Sequence, residues 1–114
     1  MDIRIEEKNG ISILRMAGDI DINTAPALKD SLESVIRNKN ILILINLSGV
    51  DYIDSSGLAT LVEILKSLNK QGGKLKLTNL SVKVKGLFEI TKLTQLFDIL
   101  DKEDEAINSF DKQK

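Results

Sequence analysis

The sequence predicts a single α/β domain with a mixed sheet, opening on an antiparallel hairpin and continuing with parallel strands that alternate with helices. Three observations carry this expectation. Asn9-Gly10 separates two short, partly alternating segments, a strong hairpin signal. "ILILINL", 41–47, is a continuous apolar run of strand length, as in an interior strand covered on both faces. Around these runs, apolar residues recur at helical spacing.

"IRIEE", 3–7, and "ISILRMA", 11–17, form the hairpin, and a third short strand is expected around Gly18–Ile22. Thr24 then reads as a helix cap, followed by Ala25, Leu28, Leu32, Val35 and Ile36 at helical spacing, with Pro26 tolerated in the first turn. That helix ends near "RNKN", where cations suit the C-terminal dipole. After the 41–47 strand and a turn at Ser48-Gly49, a second helix opens at 55–57 and runs to about Lys70. Its core stripe is Leu58, Leu61, Val62, Leu65 and Leu68, and Gln71-Gly72-Gly73 ends it. "KLKLTNL", 74–80, alternates as a strand, and 82–92 reads as a short helix with Val84, Leu87 and Phe88 inward. "LFDIL", 96–100, is a last strand, and Asp101 caps a terminal helix over 103–110 that turns Ala106, Ile107 and Phe110 inward. The domain is expected over 1–110, with a frayed tail over 111–114.

Composition narrows the function classes. A chain of 114 residues can bury a core without disulfides or metals. Its net charge of −1 gives no bulk field toward nucleic acid or anionic membranes, so neither is expected as a partner. The absence of Cys removes disulfides and thiolate chemistry, and fits a cytoplasmic location. The absence of His removes the usual general base at neutral pH and the commonest transition-metal ligand. No metal or other cofactor is expected. The opening "MDIRIEEKNG" has no apolar signal core, and no apolar run approaches the ~20 residues of a membrane helix.

The segment "DYIDSSGLATLVEIL", 51–65, places Asp54-Ser55-Ser56-Gly57 just beyond the most apolar strand. Catalysis by either serine would need a base, and there is no His; in sequence the closest lysines are Lys39 and Lys66. The G-x-S-x-G elbow is absent, as are Walker A and G-x-G-x-x-G, so a nucleotide-binding reading rests on a lone Gly57. A phospho-aspartate receiver would want an acidic pair and a strand-borne Lys, a set that Asp51 and Asp54 alone do not make. Asp54 or Ser55 serves as an N-cap in the plainest reading. The remaining reading is modification from outside. A helix N-terminus stabilises a phosphoserine, so the added charge would act on whatever docks there rather than on the fold.

Here the sequence closely resembles the STAS family, shared by sulfate transporters and anti-sigma factor antagonists. The matching pieces are Gly18-Asp19-Ile20-Asp21, Asn23-Thr24-Ala25, "ILILINLSGVDYIDSSGLATLVE", Gly72-Gly73 and "KGLFEITKLTQLFDIL". The resemblance covers nearly the whole chain and implies helices packed mainly on one face of the sheet. It also implies an anti-sigma factor antagonist, not an enzyme. Such a protein binds an anti-sigma factor that is a GHKL-type serine kinase, freeing a sigma factor, and is released by phosphorylation. A serine phosphatase reverses the change. On this resemblance Ser55 is the phosphorylated serine and Ser56 supports it. Asp21, Asn23, Thr24, Asp54, Ser56, Gly57, Ala59 and Thr60 belong to the partner surface, Gly57 by letting the partner approach the backbone.

Two positions depart from the family pattern: Asp19 stands where glutamate is commoner, and Thr60 where a small residue is common. Several residues also have plainer readings. Asp21 serves a turn, Gly57 close packing of helix on sheet, and Tyr52 half-buried packing. Leu58, Leu61 and Leu65 are core. The chain is expected as a monomer or weak dimer. Alternatives are a STAS module of another complex, such as lipid transport, or a nucleotide-binding protein.

Overall fold

The computed structural model describes residues 1–111, and the expected tail lies outside them except for Asp111, which ends the last helix. Five strands form one sheet in the order β1-β2-β3-β4-β5. β1 (Asp2–Lys8) and β2 (Ile11–Ala17) are antiparallel, and β3 (Leu42–Gly49), β4 (Lys74–Thr78) and β5 (Asp98–Leu100) join in parallel. The hairpin turns on Asn9 at φ 55° and Gly10 at φ 78°, two left-handed residues whose twist matches that of the strands.

The helices are α1 (Ala25–Arg37), α2 (Ser55–Lys70), α3 (Val82–Ile90) and α4 (Glu103–Asp111). α1, α2 and α3 cover one face. Leu28, Leu32, Leu61, Leu68, Val84 and Phe88 pack there on Leu14, Ile43, Ile45 and Leu77 in one apolar core. On α2, Ile64 joins the buried stripe, while Leu58 and Val62 sit half-buried at its border. α4 covers the other face alone, setting Ala106, Ile107 and Phe110 on Ile11, Ile13 and Leu44. β3 is therefore covered on both sides, as its unbroken apolar run requires.

Some expected elements change. The third strand near Gly18–Ile22 reduces to a single bridge, Ile20 to Ile53. β4 stops at Thr78 because Asn79 takes a left-handed conformation, φ 59°. β5 begins at Asp98, after a 3-10 turn over Leu93–Gln95. Lys76, whose alternation suggests a solvent-facing residue, is 1% exposed. α4 lies over it, and its ammonium meets Asp98 and stands 5.0 Å from the centre of the Phe110 ring.

Candidate functional site

The chain leaves β3 through Val50, which is buried, then exposes Asp51 and Tyr52 and buries Ile53 before entering α2. This loop is zipped to the one that follows β2. Ile20 N–H donates to the Tyr52 carbonyl at 2.9 Å, and Asp54 N–H to the Ile20 carbonyl at 3.0 Å. Asp54 is the N-cap of α2. Its Oδ1 accepts from Gly57 N–H at 2.9 Å, and its Oδ2 accepts from Ile22 N–H at 3.1 Å. One carboxylate thus caps the helix and ties down the neighbouring loop.

That division of labour leaves Ser55 without a capping duty. It is the first residue of α2 and exposed. Among the described residues, the Ser55 and Ser56 amides meet no acceptor, the usual condition at a helix start. Ser56 is half-buried, and its carbonyl accepts from the Thr60 hydroxyl at 2.9 Å. Ala59 is exposed and Thr60 half-buried on the same end of α2.

Gly57 is buried and faces the core. A Cβ there would lie 2.7 Å from Ile20 Cγ2, 2.8 Å from the Ile20 carbonyl oxygen and 2.8 Å from Ile53 Cγ2. The glycine is needed so that α2 can approach the zipped loops. This corrects the expectation that Gly57 opens the backbone to a visitor.

The β2–α1 loop holds itself together. Asp21 Oδ1 accepts from Asn23 N–H at 2.9 Å and Thr24 N–H at 3.1 Å. Thr24 Oγ1 accepts from Asp21 N–H at 2.9 Å and donates to the Asp19 carbonyl at 2.7 Å. Thr24 stands at the N-cap of α1, as the sequence predicts, and its carbonyl accepts from Leu28 N–H at 3.2 Å, but its side chain makes no bond into the helix. Its hydroxyl is committed backward, into the turn. The Asp21 carbonyl takes over, accepting from Ala25 N–H at 2.7 Å. Asn23 is exposed beside this turn.

Beside Ser55 lies an open groove of about 620 Å³ between the start of α2 and α3. Tyr52, Leu58, Val82, Leu87 and Ile90 supply its apolar walls, and Asp51, Asp54 and Lys83 its charges. Tyr52 is 46% exposed, close to the half-buried state expected of it, and Val82 and Ile90 are more exposed still. Sequence reasoning missed the outer wall. Val82 and Ile90 fall off the inward stripe of Val84, Leu87 and Phe88, so "VKVKGLFEI" is apolar on more than one side of α3. The fold also brings Lys83 to the serine's groove, although sequence distance points to Lys39 and Lys66. Lys83 is exposed, whereas a lysine that serves as base is a buried one. Among the described residues no cluster of carboxylates is placed to hold a metal.

Residues 2–106 match the STAS domain family. The chain belongs to the STAS family. It is 37% identical over 110 residues to the anti-sigma-B factor antagonist of Bacillus subtilis strain 168, covering 94% of this chain and 99% of that one. The crystal structure of an anti-sigma factor antagonist from Mycobacterium paratuberculosis superposes with a TM-score of 0.86 at 26% identity, covering 95% of this chain and 92% of that chain. The Bacillus cell fate determinant SpoIIAA, in its phosphorylated form, shares the fold with a TM-score of 0.75 at 20% identity, covering 96% and 99%. The STAS fold is thus established, with three helices on one face of the sheet and one on the other.

Proposed function

We propose that this STAS domain is a cytoplasmic, non-enzymatic anti-sigma factor antagonist switched by phosphorylation of Ser55. Unphosphorylated, it binds an anti-sigma factor that is a GHKL-type serine kinase, and a sigma factor is freed. Phosphorylation ends the complex and a serine phosphatase restores it. The observation that carries this reading is the separation of duties at the start of α2. Asp54 caps the helix and ties the loops, while the adjacent Ser55 is exposed and its hydroxyl makes no hydrogen bond among the described residues.

A phosphate on Ser55 would sit at the positive end of a helix of 16 residues, beside amides that take no acceptor among the described residues. The scaffold tolerates the added dianion there. A docked protein would not, because the charge would have to be desolvated beside Asp54 and the apolar walls of the groove. The exposed side chains of Tyr52, Val82 and Ile90 support a protein-docking face, since contiguous apolar surface of this kind marks interaction sites. Asp21, Asn23, Thr24, Asp54, Ser56, Ala59 and Thr60 form the remainder of that face, with Asp21 and Thr24 acting mainly by fixing the loop.

The test is incubation with candidate serine kinases and ATP, followed by intact-mass measurement and site mapping. One phosphate is expected, on Ser55. Ser55→Ala should stay bound to the kinase in the presence of ATP, and Ser55→Asp should bind at least about tenfold more weakly. Wild-type binding by both variants overturns the switch. Capture of a transporter ATPase in place of a kinase turns the reading toward a STAS module of a transport complex.

A further inference from the structure

The exposed edge of the sheet carries a self-complementary strand. β1 is an edge strand: it pairs with β2 on one side, and among the described residues no strand pairs with its outer edge. Asp2, Arg4, Ile5, Glu6, Glu7 and Lys8 are all exposed, with Ile5 at 53%. Such an edge is a template for another strand unless charge opposes the pairing. Here the charges favour one partner in one register.

The two-residue turn at Asn9-Gly10 is closed by Lys8 and Ile11, which in this turn type form a hydrogen-bonded pair. Lys8, Glu6, Arg4 and Asp2 therefore spend their backbone groups on β2. Ile3, Ile5 and Glu7 aim their N–H and C=O groups at the open edge. A second copy of β1, laid antiparallel with Ile5 opposite its counterpart, matches these outward groups pair by pair. Ile5 meets Ile5, and Ile3 meets Glu7. The intervening positions are the close, non-hydrogen-bonded pairs, and there Arg4 faces Glu6 while Asp2 faces Lys8. Every charge on that face meets its opposite, twice over by symmetry.

Alternative registers are poorer. A slip of two residues one way sets Arg4 against Arg4 and Asp2 against Glu6. A slip the other way sets Glu6 against Glu6 and Arg4 against Lys8. A slip of one residue sets outward-facing backbone groups against groups already spent on β2. Slips of four residues again match the backbone and set opposite charges together, Asp2 against Arg4 or Glu6 against Lys8, but they shorten the paired stretch; the register centred on Ile5 makes the most backbone and charge pairs at once.

We infer that the β1 edge is a homodimer interface, in which two copies of this chain join their sheets through antiparallel β1–β1 pairing centred on Ile5. The same face keeps Glu6 bound to Arg15, which also pairs with Glu103, so the charged row is held from below. The antiparallel arrangement sends the two Ser55 ends in opposite directions along the joined sheet. Dimerisation and docking at the serine therefore do not compete.

Sedimentation velocity over a concentration series, at low and high salt, tests this on the full chain. Wild type should self-associate measurably by about 1 mM and less at high salt. Arg4→Glu places like charges at both Arg4–Glu6 contacts and should weaken association roughly tenfold or more. Glu6→Arg should do the same. An equimolar mixture of the two single variants restores opposite charges at every contact and should associate as wild type does, as should the Arg4→Glu, Glu6→Arg double variant. Circular dichroism of each variant checks that the fold is retained. A wild type that stays monomeric at about 1 mM overturns the proposal, and so does a mixture that associates no better than its components.

Discussion

The two faces of the sheet are held by different physics. The face under α1, α2 and α3 is a continuous apolar core, and Lys76, the buried charged residue among those described, lies on the opposite face. The face under α4 has six buried apolar residues among those described and leans on directional contacts. Glu103 Oε2 accepts from Arg15 Nη2 at 2.9 Å, and Glu103 Oε1 accepts from Asn46 Nδ2 at 3.0 Å. Lys76 is locked between Asp98 and Phe110. A nine-residue helix offers few side chains to bury, so polar ties supply its orientation. The serine site belongs to the first face. α2 is rooted in the large core through Leu61, Ile64, Leu65 and Leu68, so its body is anchored away from the exposed serine at its start.

The comparison breaks if the faces melt together under every perturbation. Leu61→Ala, in the large core and fully buried, should cost about 3 kcal/mol of global stability by chemical denaturation. Ile107→Ala should cost about 2 kcal/mol, and hydrogen exchange should rise first in the α4 amides, as expected of a terminal unit that opens separately. Equal acceleration of exchange in α2 and α4 by Ile107→Ala would show one cooperative core.

Much of the first face was legible because its signals are local. The hairpin stands on Asn9-Gly10, α1 on a clean apolar stripe that the structure buries, and β3 on its unbroken run. The inward stripe of α4, Ala106, Ile107 and Phe110, was legible too. Lys76 was not, because alternation states which residues share a face but not whether a terminal helix will cover the second one. The site divides in the same way. That a cap would sit at Asp54 or Ser55 follows from residue type. The bond from Asp54 Oδ2 to Ile22 N–H joins residues 32 apart, and no local pattern carries it. The inward role of Gly57 depends likewise on Ile20 and Ile53 arriving from two loops.

A pair of substitutions with comparable effect probes the polar ties of the α4 face. Asp98→Asn leaves the Lys76 ammonium buried without an anion and should cost about 2–3 kcal/mol. Lys76→Met removes the buried charge itself and leaves Asp98, which is half exposed, to water. That change should lie within about 1 kcal/mol of wild type, in either direction. Thermal melts of the two variants read the asymmetry directly. Equal losses would mean that Lys76 contributes through packing on Phe110 rather than through its pairing.

The smallest effect is a pH dependence, and its sign follows from Glu103. Burial pushes this carboxyl up, but hydrogen bonds from Arg15 and Asn46 and the Arg15 charge outweigh it, so the group sits below the ordinary carboxylate range. The folded chain therefore holds the Glu103 proton less readily than the unfolded chain. Its contribution is complete above the unfolded value of about 4.3 and is lost as the pH falls through the lower folded value. Hydrogen bonds to Glu103 and Glu6 raise Arg15, which stays charged throughout this window. Other carboxylates titrate there too, so the informative quantity is the stability difference between wild type and Glu103→Gln. Near pH 7 that difference should be about 1 kcal/mol, the scale of a charge-assisted hydrogen bond exchanged for a neutral one. Below about pH 4 it should shrink toward zero. A gap that widens on acidification would mean that protonated Glu103 stabilises the fold, and the polar tie beneath α4 would then need a different origin.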